Sequence, residues 1–530
     1  MTKSSKKVLI VALLVTTLLA TWVVGPQNII RAAQQVYNKW MILTLIVDKI
    51  ERFYVDEKNP DELIQNAIEG ILSGLDPHSV YLTAEEYARW KKNYQEYRGL
   101  GLKYNRIDNA LVVVSLFEDG PAARSGICIG DKILKIEGKE AAELKDVEIQ
   151  ELLCRGDSAA VRLLVQQEDN PPRVIDVPCE KITIESIPCS FMLDDSTGYI
   201  KIAHFVESTP TELDLAFAQL RSAGMTRLLL DLRDNGGGAL QAGIDVADRF
   251  IDGGKLIAFT KGRSPAANAQ YIATDKNTLP YVPLVLLVNG ATASDAEIVA
   301  GAIQDWDRGI IVGQTTFGKA LVQMEYLFQD GSALLLTTAR YYTPLGRLIQ
   351  RSYYASGQGE AETEAGENLG KKYVTPAGRV VYGAGGITPD FVLSGYETEF
   401  PDAFRHLYFH RKHFFFKFAD QFVRTHELQW DNLTAFAREF TVSDSLLYEF
   451  YKSVVKSGYR FSRADFRACK KQIRFALKKE IAGRLWGEEG RYVINVLSDA
   501  EVKKSVDYFG AARNLKADAS SIEKFSRNGY

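Results

Sequence analysis

Cysteine is scarce and badly placed for pairing: Cys128, Cys154, Cys179, Cys189 and Cys469 are odd in number, irregularly spaced and contain no C-x-x-C. That pattern argues against a disulfide framework and against paired-thiol zinc sites, so mostly buried thiols are expected. Histidine is nearly as sparse, and no H-E-x-x-H occurs. His406, His410 and His413 recur at helical spacing, but lysines and arginines crowd them, so a basic helical face is favoured over a metal site. His204 follows an apolar strand and His78 lies in the turn "DPHS"; both read as structural. An excess of positive charge is also missing. The formal net charge of -3 gives no electrostatic footprint for nucleic acid. The Gly-rich turn "DNGGG" has no following Gly-Lys-Ser/Thr, which removes the phosphate-loop reading. No repeat of fixed period is evident, and no metal or organic cofactor is implied.

What is present begins at the N-terminus. Lys3, Lys6 and Lys7 precede an apolar run from Val8 to Gly25, just long enough to cross a bilayer as a helix. An uncleaved membrane anchor, with Trp22 at the interface, is favoured over a cleaved signal segment. Lysines ahead of the run keep the N-terminus cytoplasmic, which places the remainder outside the inner membrane, in the periplasm. A cleaved segment would instead release the chain there.

A chain of 530 residues is too long for one core. The periodicity predicts a multidomain α/β protein. Residues 1–27 are the membrane segment and 28–95 a helical region, as in "MILTLIVDKIERFYV". Residues 96–178 are strand-rich, with "ALVVVSLF", "DKILKIEG" and "AVRLLVQQ". In 179–398 strands alternate with helices, which argues for a largely parallel sheet. Residues 399–530 turn helical, aromatic and basic and read as a separate helical domain. "SGQGEAETEAGENLGKK" reads as a surface loop.

Three segments could carry chemistry. In "PLVLLVNGATASDAEIVAGAIQDW" an apolar strand ends at Asn289 and a helix begins near Asp295, so Ser294 sits at a strand-to-helix turn. Backbone N–H groups at such a turn can stabilise an oxyanion. Ser294 with Glu297 three residues on equally fits a capping box, and on those residues alone the cap is favoured. Downstream, "TFGKALVQ" places Lys319, Leu321 and Gln323 on one face of an expected strand. A desolvated lysine loses proton affinity and can take a proton from a serine hydroxyl. Gln323 could orient its amine, although a snorkelling surface lysine is the commoner fate. In "RLLLDLRDNGGGAL" a buried strand runs into a Gly-rich turn whose N–H groups can face an anion, and Asp231 with Arg233 reads as a buried structural pair.

Taken in order, "GLGL", "DLRDNGGG", "NGATASDAEIVAGAIQD" and "TFGKALVQ" resemble the carboxyl-terminal processing (tail-specific) serine peptidases over roughly Ile46 to Leu393. The resemblance implies an α/β peptidase core with Ser294 as nucleophile, Lys319 as general base and Gln323 as orienting residue. It implies an oxyanion hole from the backbone N–H groups of Gly237 and Asp295. The family more often has small residues or serines where this chain has Asp295 and Ala296, which changes the local electrostatics. The helical tail is not covered.

The strand-rich module looks like a PDZ domain, with "RGLGLKYN" as its carboxylate-binding loop and strand. Backbone N–H groups from Gly99, Leu100, Gly101 and Leu102 would hold a terminal carboxylate, and apolar Leu100 and Leu102 are expected to line the groove. The expected partners are exported proteins or peptides with free C-termini, the membrane through the N-terminal segment, and, as an option, a second copy of the chain. The other reading is a catalytically inactive PDZ-containing scaffold of the cell envelope.

Overall fold

The computed structural model describes residues 38–515, except 96, 118, 154–159, 168–169, 183–184, 276–278, 353–368, 394–399, 427–429 and 431. The expected membrane segment, Cys154 and most of the Gly-rich loop therefore lie outside the described residues. Among those described, no helix is long and apolar enough to cross a membrane. The chain divides into two compact units.

The smaller unit contains a helix over 38–53 and a second helix, Pro60–Leu72. Asn59 caps the second helix by accepting the Asp61 N–H at 2.9 Å, and Pro60 sits where an N–H would go unused. After a turn braced by Asp76, the strand Val80–Leu82 pairs antiparallel with Ala333–Leu335.

The larger unit begins with the strand-rich module. Its antiparallel sheet runs, in spatial order, Leu102–Ile107, Ala110–Leu116, Lys132–Ile136, Val161–Gln166 and Arg173–Val177. The helix Asp146–Leu153 buries Ile149, Leu152 and Leu153 into a core that includes Leu111, Val113, Ile133, Leu163 and Val165. The strand Leu102–Ile107 is left at the sheet edge.

A six-stranded sheet organises the rest. Cys189–Met192 is antiparallel to Thr197–Lys201, and then Arg227–Asp231, Leu284–Val288, Ile310–Gly313 and Phe391–Val392 follow in parallel. Period-two alternation divides the side chains between two cores. Leu228, Leu230, Leu284, Leu286 and Val288 meet the helices Thr209–Ser222, Leu240–Asp248 and Asp295–Asp305. Leu229, Val285, Leu287, Ile310 and Val312 point the other way, into the C-terminal helices. A second sheet pairs Leu256–Gly262 antiparallel with Ala269–Ile272 and, over Phe259–Gly262, with Ala339–Tyr342.

The tail is helical, as expected, yet it shares one continuous core with the sheet instead of standing apart. Its aromatic residues explain why: a sheet of apolar strands needs a cover on each face, and this cover is supplied by Phe415, Phe436, Phe450 and Phe509. The tail also reaches the strand-rich module, where Phe416 packs on Ile107 and Val112 and Lys417 pairs with Asp108. Phe450 is fully buried, with ring centroids 4.7 Å from Phe415 and 5.3 Å from Phe418. Phe450→Ala is therefore expected to cost about 3–5 kcal/mol, measured by denaturant unfolding. A loss under 1 kcal/mol would show that the tail is not part of the sheet's core.

Candidate active site

Ser294 occupies the strand-to-helix turn anticipated from the sequence, directly before the helix Asp295–Asp305. Its backbone has φ 57°, ψ -119°, a conformation that a residue with a Cβ rarely adopts. Neighbouring polar groups hold the turn in that shape. Thr292 Oγ1 donates to the Leu232 carbonyl at 2.8 Å, and Asn289 bridges to Asp234 through both side-chain atoms, at 3.0 and 2.8 Å. The Ala293 N–H donates to the Asn235 carbonyl at 2.9 Å. The serine turn and the Gly-rich turn are thus one hydrogen-bonded assembly.

Glu297 turns out to join this assembly to the lysine segment. Its side chain is wholly buried. One carboxylate oxygen accepts the Ser294 N–H and the Lys319 N–H, each at 2.9 Å. The other accepts the Gly318 N–H at 2.8 Å and the Thr316 hydroxyl. Burial pushes its pKa up to about 7, against four donors that each favour the charged form. The cap anticipated at Ser294 is present in its Glu297 half, and the same carboxylate also fixes the segment that bears the lysine. Tyr341 adds a second tie, its Oη lying 3.0 Å from the carbonyl oxygens of both Ser294 and Lys319.

Lys319 precedes the strand Leu321–Leu327 instead of lying within it, and its side chain is half-buried. Its Nζ donates to Gln323 Oε1 at 3.3 Å. The expected lysine–glutamine neighbourhood therefore forms, although from an irregular segment tied to Glu297 and not from a strand ladder.

Gly237 lies against the serine. A Cβ on it would come within 2.8 Å of Ser294 Cβ and 3.2 Å of the Asp295 nitrogen, and its φ of +98° suits glycine. Its N–H, the expected oxyanion donor, is engaged by Asn235 Oδ1 at 2.9 Å. The neighbouring Gly238 N–H donates to Asp295 Oδ2 at 2.8 Å. In this conformation the Gly-rich turn directs both donors at protein oxygens. An acyl oxygen entering here would have to compete with Asn235 for the Gly237 N–H.

Asp295 is 3% exposed. Burial pushes its carboxyl up to about 6, partly offset by the Gly238 N–H and by the charge of Lys319. Asp231 and Arg233 form the expected buried pair, joined at 2.7 Å, and Lys201, Tyr199, Asp499 and Glu501 gather around them. Sequence reasoning gave Glu297 only as a cap and missed Asn235, Tyr341, Asp499 and Glu501. The spacing Ser294-x-x-Glu297 was its one usable signal.

The anticipated carboxylate loop differs in detail. Leu100 and Leu102 are 2% and 7% exposed and pack into the module's core. Gly99 ends a short strand opposite Glu180. Gly101, with φ +71°, turns the chain into the edge strand. His410 accepts the Lys412 N–H through Nδ1 and stacks on Phe414, and His413 lies at the start of the helix Phe414–Thr425. Among the described residues, no group of three His, Cys, Asp or Glu could hold a metal ion.

A serine at a strained strand-to-helix turn, joined through one carboxylate to a lysine, on a parallel sheet behind a strand-rich module, defines a serine peptidase core with a PDZ domain. Residues 196–355 match peptidase family S41 and residues 89–166 match the PDZ domain. Residues 406–487 match a family of unknown function, DUF8443. A carboxy-terminal-processing protease of Bartonella bacilliformis is 34% identical over 322 residues, which is 60% of this chain and 74% of that protein. The carboxy-terminal processing protease CtpA of Bacillus subtilis is 28% identical over 348 residues, 65% of this chain and 74% of its own. Among solved structures, a photosystem II D1 C-terminal processing protease is 24% identical with a TM-score of 0.37, covering 67% of this chain and 92% of its own. The chain belongs to the carboxy-terminal-processing proteases of peptidase family S41 and is a serine peptidase.

The raised Asp295 carboxyl has a consequence for stability. A carboxyl that binds its proton more tightly when folded stabilises fully below the ordinary carboxylate range, and that stability is lost as pH rises through about 6. Asp295→Asn keeps an acceptor for the Gly238 N–H without the charge. Between pH 4 and pH 7 the wild type should lose about 2 kcal/mol relative to Asp295→Asn in urea unfolding. Parallel pH dependences would show that Asp295 is not held in this buried state.

Proposed function

We propose that the protein hydrolyses peptide bonds through an acyl-enzyme, with Ser294 as nucleophile, Lys319 as general base and Gln323 orienting its amine. The observation that carries this reading is the Glu297 carboxylate, which accepts N–H groups from both Ser294 and Lys319. Ser294 Oγ attacks the scissile carbonyl carbon as its proton passes to neutral Lys319 Nζ. The oxyanion is met by the N–H groups of the turn, with Gly237 released from Asn235, and of the helix start at Asp295. Collapse breaks the C–N bond, and the leaving amine takes the proton back from Lys319. Water, deprotonated by Lys319, then cleaves the ester and restores Ser294.

Asp295 tunes this chemistry. Ionised, its charge favours the ammonium form of Lys319 and opposes a developing oxyanion, so it should hold back the base. Ser294→Ala and Lys319→Ala should each lower kcat by at least about 100-fold while leaving the far-ultraviolet circular dichroism unchanged. The alkaline rise of kcat/KM should move about one unit to lower pH in Asp295→Asn. Full turnover in Lys319→Ala would remove lysine from the mechanism. Full turnover in Ser294→Ala would remove the serine, and lack of activity in the wild type would leave the scaffold reading standing.

The substrates proposed are exported proteins or peptides presented by their C-termini, and the N-terminal apolar run would hold the enzyme at the inner membrane, facing the periplasm. Support for tail recognition comes from the edge strand Leu102–Ile107, which can accept an extended peptide as an added strand, and from Gly101 at its entrance. With Leu100 and Leu102 buried, recognition falls on backbone N–H groups and on the carboxylate they meet. A peptide with an amidated C-terminus should bind about 1–3 kcal/mol more weakly than the free acid in calorimetry. Equal affinities would end tail recognition by this module.

A further inference from the structure

The helical run Lys470–Ser498 is broken at Trp486 and Gly487, and its second part runs between the PDZ module and the turn beside Ser294. At the start of that second part, Arg491 Nη2 donates to the Val114 carbonyl of the PDZ module at 3.2 Å, and Glu488 lies 3.7 Å from Lys103. The chain then turns at Asp499, which caps the helix Ala500–Ser505 by accepting the N–H groups of Glu501 and Val502 at 2.8 and 3.2 Å. Within these three residues two carboxylates reach Arg233. Asp499 Oδ2 lies 2.8 Å from Nη2 and Glu501 Oε2 lies 2.8 Å from Nη1. Arg233 is only 14% exposed in its side chain.

Arg233 is one residue removed from the turn beside Ser294. Its carbonyl accepts Lys201 Nζ, and its N–H donates to Asp231 Oδ1 at 2.9 Å. The next residue, Asp234, is bonded to Asn289, and Asn235 carries both the Ala293 N–H and the Gly237 N–H. A guanidinium is a planar fork with fixed donor directions, so three carboxylates around it set its plane and the path of the backbone that carries it. Two of the three come from the tail, beyond residue 355 where the S41 match ends.

We propose that Asp499 and Glu501 are positioning residues for catalysis. Through Arg233 they set the turn Asn235–Gly238 against Ser294, and through the helix before them they join that turn to the PDZ module. The inference rests on the reading that this turn serves acyl transfer at Ser294. The tail is then a working part of the active site.

The test is steady-state cleavage of one chromogenic peptide by the full chain carrying Asp499→Asn, Glu501→Gln or both, beside Ser294→Ala. Arg233 keeps Asp231 in every variant, so folding should persist, and thermal melting checks it. The single variants should lower kcat by about 3- to 10-fold and the double by more, with KM within about 2-fold of wild type. On an Arg233→Lys background the tail substitutions should have little further effect, because the fork they orient is gone. A purely structural role would lower the melting temperature and leave kcat per folded molecule unchanged. Wild-type kcat in folded single variants overturns the inference whether or not the double variant folds. Activity surviving in Ser294→Ala would instead overturn the reading beneath it.

Discussion

One buried carboxylate holds the site together. Glu297 is wholly buried, so its ionised form depends on the four donors around it. Those donors come from two segments separated by more than twenty residues, the turn at Ser294 and the run Thr316–Lys319. Neither segment is a regular element, so neither has a ladder of its own to fix it. Losing the carboxylate would leave three backbone N–H groups buried without acceptors, at roughly 1–3 kcal/mol each. That cost makes the juxtaposition of serine and lysine a property of the folded core.

The strain at Ser294 fits the same account. A positive φ at a non-glycine residue persists only where surrounding bonds over-determine it. Here the Thr292 hydroxyl, the Asn289 amide and the Glu297 carboxylate all act within a few residues. The sheet beneath supplies the rigid base, since Arg227–Asp231 and Leu284–Val288 are adjacent parallel strands whose C-terminal ends deliver the two turns side by side. Its opposite face is closed by the tail, so the sheet that carries the two turns is covered on both sides.

Much of this was legible in the residues. Period-two strands, the strand-to-helix position of Ser294, the Asp231–Arg233 pair and the strand-rich module all follow from local pattern. What escaped has a common physical cause. Glu297 satisfies a local capping rule, and a residue with one adequate explanation hides a second role at long range. Lys319 alternates with Leu321 and Gln323 as a strand would, but its N–H is spent on Glu297 before the ladder begins. Leu100 and Leu102 read as a ligand-facing pair, yet the turn at Gly101 directs both inward. The tail read as independent because its helices have their own caps and apolar faces. Only the tertiary fold shows that those faces are completed by Leu229, Val285 and Leu287.

The central claim is that Glu297 makes an acylating serine by binding it to the lysine segment. It is tested most directly by intact-protein mass spectrometry after brief mixing with an activated ester, in the wild type and in Glu297→Ala, with peptide mapping of the adduct. The account predicts an acyl adduct on Ser294 in the wild type and little or none in folded Glu297→Ala. Acylation of Ser294 at the wild-type rate in Glu297→Ala would contradict it.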